Sequence, residues 1–183
     1  MSAGALRSAA TVVALSVQEG VRRRVFLAVL VLTLAFLATV AQAQINSPPP
    51  TLQGQPSFHL WSVPGVIRAG GLETFFPCTN TTGAPIRVGI EVFGSGGGGA
   101  INDPSATSLN VAAGATVLFG TSAAVGLSVS SSLGAGFSKG SARVLATAKS
   151  GIICSAFLAD SGNAPPTSMT ALVVVKKTKQ KGD

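Results

Sequence analysis

The chain has no tyrosine, one tryptophan, one histidine and two cysteines, and only 10 % of its 183 residues are charged. Each scarcity removes a class of chemistry. With His59 alone, a multi-histidine metal site is excluded, and a histidine base would have to be this residue. It lies between Phe58 and Leu60 in a strand-like run, where an exposed strand position is the simpler reading. Aromatic residues make up 5 % of the chain, too few for a carbohydrate-binding face. Clustered acids with glycine at the offsets of a calcium loop are missing. Ser155 follows Cys154 in a strand-like run and lacks the G-x-S-x-G elbow. The four consecutive glycines Gly96 to Gly99 have neither a Walker lysine nor a following helix, so they read as a Gly-rich loop and not as a phosphate cradle.

Carboxylates are equally sparse in the body. Asp103 lies in an Asn-Asp-Pro turn and Asp160 in an Asp-Ser-Gly-Asn turn, where short side chains that bond nearby backbone are preferred. Glu73 and Glu91 fall at outward strand positions. On neighbouring strands they would offer a glycosidase-like pair, but Arg87, four residues from Glu91 on the same face, more simply supplies an ion pair. No catalytic, cofactor-binding or metal-binding set can be assembled, and no cofactor is expected.

What is present is an address. Arg22, Arg23 and Arg24 precede an unbroken apolar run from Val25 to Val40, and Ala41-Gln42-Ala43 completes the pattern of a secretory signal peptide. About twenty residues precede the basic cluster, so either the leader is long or the true start lies near Val21. An uncleaved anchor is the rival, but Val25 to Val40 falls short of the ~20 residues that span a bilayer. Pro48-Pro49-Pro50 cannot continue a helix, which favours cleavage after Ala43. The expected organisation is a signal helix over 1–43, a Pro-rich flexible linker over 44–56, one domain over 57–176 and a basic tail over 177–183.

The net charge of +7 invites a nucleic-acid reading, and its distribution removes it. Four basic residues leave with the leader, and Lys176, Lys177, Lys179 and Lys181 crowd the C-terminus. Between Gln44 and Val175, Arg68, Arg87, Lys139, Arg143 and Lys149 face Glu73, Glu91, Asp103 and Asp160, so the body is nearly neutral. No nucleic acid and no stable membrane insertion are expected of the mature chain.

An oxidising compartment favours pairing of Cys78 with Cys154. That bond closes a loop of about 77 residues, worth about 4.5 kcal/mol at the upper end of the chain-entropy treatment. No CxxC spacing points to reactive thiols instead.

Apolar residues recur with period two in short runs separated by Gly, Pro, Asn and Ser, and helical periodicity is absent after the leader. In Ile86 to Phe93 the set Ile86, Val88, Ile90 and Val92 points one way. Leu72 to Cys78 and Ile152 to Leu158 place both cysteines on inward faces. Further strands are expected at Phe58 to Val63, Ser108 to Val111, Ala115 to Gly120, Arg143 to Lys149 and Met169 to Lys176. A weak edge strand, able to pair with another chain, is expected at Val125 to Val129. Seven to nine strands with one disulfide suggest an all-β, antiparallel β-sandwich. The cysteine separation suits the inter-sheet bridge of an immunoglobulin-like architecture. Trp61 precedes both cysteines and the tyrosine corner is impossible, so the likeness is of architecture only. Phe75 and Phe93 lie opposite their strands' main apolar sets. They are the candidate interaction surface, or else they belong to a covered second side of the sheet.

The segments Thr74-Phe75-Phe76-Pro77-Cys78-Thr79-Asn80, Val88-Gly89-Ile90-Glu91-Val92-Phe93 and Cys154-Ser155-Ala156 resemble patterns of small, uncharacterised exported bacterial β-sandwich proteins, over roughly Val63 to Val175. The resemblance implies the fold and no activity. Asn80-Thr81-Thr82 is a glycosylation sequon, meaningful only in a eukaryotic secretory pathway. The expected function is an exported, non-catalytic structural or binding module, periplasmic, cell-surface or secreted, with a protein or surface partner. The alternatives are a homo-oligomeric subunit of an extracellular assembly pairing through edge strands, and a hydrolase with an unrecognised site.

Overall fold

The computed structural model describes residues 45–124, 126–134 and 136–177. The expected signal helix, Val125 of the expected edge strand and the tail beyond Lys177 lie outside the described residues. Strand accounts for 48 % and helix for 3 %, so the chain is all-β. The strands are β1 (Phe58–Ala69), β2 (Leu72–Asn80), β3 (Ile86–Gly94), β4 (Leu109–Val111), β5 (Thr116–Gly120), β6 (Ser131–Ser132), β7 (Lys139–Ala146), β8 (Ile152–Cys154), β9 (Phe157–Asp160), β10 (Met169–Ala171) and β11 (Val175–Lys176). A single helical turn, α1 (Pro104–Thr107), follows Asp103, whose carboxylate accepts from the Ser105 N–H. Proline at the first helical position and an aspartate cap are what fix that turn.

Hydrogen bonding is continuous through all eleven strands, in place of the seven to nine expected. One ladder runs β4-β3-β7-β1-β11. The other runs β10-β9-β2-β5-β6, with β8 sharing an edge of β2 with β9. Only β5 and β6 pair in parallel. The ladders join at the β1–β2 hairpin, where Gly70 and Gly71 both take positive φ, 62° and 80°. A two-residue turn of that hand matches strand twist and demands glycine. It also carries β1 six residues beyond the expected end at Val63, past a register shift between Pro64 and Val66 that follows an earlier one between His59 and Trp61.

The expected strand from Ile152 to Leu158 is broken, and Pro77 is the reason. Phe75 faces Phe157 and Cys78 faces Cys154 in one unbroken register, which sets Pro77 against Ser155. Ser155 donates its N–H to the Pro77 carbonyl at 3.1 Å, but proline has no N–H to return the bond. The ladder lapses there, leaving β8 and β9. The expected strand from Met169 to Lys176 is divided differently: its first half pairs with β9 in one ladder and its second half with β1 in the other.

One cluster of buried side chains draws on both ladders. Val63 and Val66 of β1, Ile86, Val88, Ile90 and Val92 of β3 and Val144 of β7 meet Phe76 and Cys78 of β2, Phe119 of β5 and Ile152 of β8. Each such side chain contributes roughly 1.5–3 kcal/mol by leaving water. Cys78 and Cys154 are bonded, with Cα atoms 4.2 Å apart. They lie opposite one another on adjacent antiparallel strands, so the bridge is a cross-strand one within a ladder and not the inter-sheet bridge of the immunoglobulin-like expectation. The short Cα spacing is that of a non-hydrogen-bonded pair, which brings the two side chains closest.

Candidate functional site

The most densely bonded polar cluster lies on the far side of β3 and β7. Glu91 and Arg143 occupy opposed register positions and are 2 % and 0 % exposed, and Arg143 is the largest fully buried side chain. Its Nε donates to Glu91 Oε2. Nη1 donates to the carbonyls of Ile45 (3.1 Å) and Ser47 (2.6 Å), and Nη2 to Ser47 Oγ (3.3 Å) and the Pro48 carbonyl (3.5 Å). The guanidinium also sits 5.4 Å over the Phe93 ring. All five of its donors are used, as burial of a charge requires.

The covering segment is the Pro-rich stretch expected to be a flexible linker. From Ile45 it lies as a strap across this face, and Leu52 on it is fully buried. Gly89 on β3 makes room: a Cβ there would fall 2.9 Å from Leu52 Cδ2 and 3.2 Å from the Pro104 carbonyl. Gln53 N–H donates to Ser105 Oγ at 2.8 Å, tying the strap to α1.

Glu91 therefore pairs with Arg143 and not with Arg87, whose Nη1 reaches Ser108 instead. Glu73 is not beside Glu91 either, since β1 and β7 separate their strands in the sheet path. It accepts from Thr121 Oγ1 and pairs with Arg68 at 3.6 Å. The two-carboxylate arrangement considered from sequence is absent. Asp160 organises the loop before β10: it accepts from Thr167 N–H and Oγ1, from Ser168 N–H and from Asn163 Nδ2. These bonds, the Thr167 hydroxyl first, hold its carboxyl down to about 2.

The closest approach to catalytic geometry is one that sequence reading missed. His59 Nε2 lies 3.0 Å from Ser62 Oγ. The residue is half-buried, not exposed as expected, and desolvation lowers its pKa to about 4, aided by the Arg143 and Lys177 charges against an opposing backbone bond to Trp61. A base so weak accepts a serine proton poorly at neutral pH. No carboxylate bonds to the imidazole among the described residues, so the pair reads as a local strand contact.

Phe75 and Phe93 are 0 % and 4 % exposed. Phe75 stacks on Phe157 at 5.4 Å, and Phe93 lies under Arg143, so neither offers an exposed ring. Beside Phe93 a cleft of about 600 Å³ opens along the Gly-rich loop, where Gly94, Ser95, Gly97 and Gly98 face Lys139. Its lining holds no carboxylate or histidine, so it has no acid–base pair. Among the described residues no group of three or more His, Cys, Asp or Glu could hold a metal ion, and no helix is long and apolar enough to cross a membrane.

No family model matches the chain, and neither a curated protein nor a solved structure is detectably similar to it.

Proposed function

We propose that the chain is an exported, non-catalytic structural module that acts through its surface after removal of the leader at Ala43. One observation carries this reading: the carboxylates and cysteines of the body are committed to holding the fold. Glu91 is bound by Arg143 and Glu73 by Arg68 and Thr121. Asp103 caps α1, Asp160 ties its loop, and both cysteines are in the disulfide. The signal-like segment and the disulfide both suit an oxidising compartment outside the cytoplasm.

The test begins with the intact mass of protein recovered from cells that export it by its own leader. A mass beginning at Gln44 and two hydrogens light supports the reading, and a retained leader or free thiols count against it. Hydrolase activity lost in His59→Ala or Ser62→Ala with the fold retained would overturn the non-catalytic assignment.

A further inference from the structure

The last described segment alternates in burial and ends in charge. Leu172 and Val174 pack against the core, while Val173 and Val175 stand 68 % and 50 % exposed, and exposed Lys176 and Lys177 follow at once. Pairing fixes the segment in place. Val175 and Lys176 of β11 lie opposite Ser62 and Trp61 of β1, and Lys177 N–H donates to the Leu60 carbonyl at 3.0 Å. Since β11 pairs with β1 alone, it forms an edge of its ladder, and two valines and two lysines are displayed there side by side.

The same stretch of β1 gathers a cation from another element. Lys149, also exposed, sits 5.0 Å over the Phe58 ring. Behind burial, the charges of Arg143 and Lys177 help hold the His59 pKa down to about 4, the sign of a positive neighbourhood. No acid offsets it locally: residues 45–72 and 161–182 contain none, and Lys179 and Lys181 extend the run in sequence, with Asp183 the one acid beyond them. The described carboxylates are engaged elsewhere. Glu91 is bound by Arg143, Glu73 by Arg68 towards the far end of β1, Asp103 caps α1 and Asp160 is held on Thr167 and Ser168.

We propose that this edge is a lipid-binding surface by which the mature chain rests on an anionic bilayer, with Lys149, Lys176 and Lys177 at headgroup phosphates and Val173 and Val175 in the interface. Charge selects the partner's sign. Each lysine held near an anionic membrane strengthens attachment by about fivefold. Basic side chains beside exposed branched apolar ones suit the boundary between headgroups and acyl chains, whereas a nucleic-acid strand calls for exposed aromatic faces. Phe58 and Trp61 are half-buried. Two valines bury too little to anchor a chain by themselves, so the attachment is peripheral, reversible and weakened by salt.

This inference deepens the module reading by naming its partner, and the two fail separately: hydrolase activity would overturn that reading alone, and a mature chain indifferent to lipid would overturn this inference alone. The experiment is cosedimentation of the exported, leader-free, disulfide-bonded chain with vesicles of phosphatidylcholine, pure or mixed with phosphatidylglycerol. Binding to the mixed vesicles only, lost at high salt, is expected. Lys176→Gln with Lys177→Gln spares the backbone bond to Leu60 and should weaken binding by about tenfold or more. Val173→Ser with Val175→Ser keeps every charge and should weaken it by a few fold, with circular dichroism confirming the fold of each variant. No binding, equal binding to both kinds of vesicle, or binding that either pair of substitutions leaves unchanged would overturn the proposal. So would equal or tighter binding to a single-stranded oligonucleotide, which would make nucleic acid the partner.

Discussion

Glu91 and Arg143 face one another across β3 and β7 and are sealed from water by the backbone of residues 45–48. Buried pairs of this kind add little over a well-packed apolar pair, but losing one partner strands the other. Arg143→Met should therefore lower unfolding free energy by about 3–5 kcal/mol. The double variant with Glu91→Met should lose less than the sum of the singles by about 1–3 kcal/mol. Urea titrations followed by the fluorescence of Trp61 measure both, and additive losses would mean the pair is not coupled.

Leu52 gives a separate handle on the strap, since it is fully buried over Gly89. Leu52→Ala should cost about 2–5 kcal/mol, the range for truncating a buried leucine. Limited proteolysis should then cut within 45–56 before it cuts the strands. Cleavage no faster than in the unaltered chain would show that the bonds from Arg143 and from Gln53 to Ser105 hold the strap without Leu52.

The disulfide spans 76 residues in sequence, so reduction releases a long loop in the unfolded chain. Cys78→Ala with Cys154→Ala should lower stability by about 2–4 kcal/mol while leaving the strand content unchanged. The test is the shift in denaturation midpoint together with the far-ultraviolet circular dichroism spectrum.

Stability should fall in two steps on acidification. His59 has its pKa lowered in the fold to about 4 from 6.5, so the unfolded chain binds the extra proton first. Its contribution is lost as pH drops from 6.5 towards 4. Asp160 is lowered to about 2 from 3.8, and its contribution, present above 3.8, disappears as pH falls through about 2. Thermal midpoints of the parent, His59→Gln and Asp160→Asn across this range separate the steps. Each variant should flatten only its own window.

Pro77→Ala should restore the N–H that the β2 edge lacks opposite Ser155. Amide exchange would then show a new protected site at position 77, and β8 and β9 would read as one strand. An alanine amide that exchanges at the solvent rate would place the cause of the break elsewhere.

The strands were legible because each needs only alternation to declare itself: Ile86, Val88, Ile90 and Val92 enter the core as that pattern requires. Gly70-Gly71 is an equally local turn signal, and the second half of β1, which lacks clean alternation, follows from that turn. Pro77 too was visible, though its effect falls on a strand some eighty residues away, which no window on the chain can show. The polar cluster was the least legible part. Glu91 and Arg143 each stand as a lone charge in an apolar run, a sign of burial, but Arg87 lies nearer in sequence and offered the same charge. What decided between them was the β3–β7 register, a long-range property.

The first long strand has its main partner in β7 and its last in β11, at the end of the described chain. A chain emerging through a membrane pore from its N-terminus would therefore present β1 long before either partner arrives. Non-local pairing of this sort folds slowly. The topology defers closure of this ladder to the last described strand, so nearly all of the described chain must be present before β1 is paired along both edges.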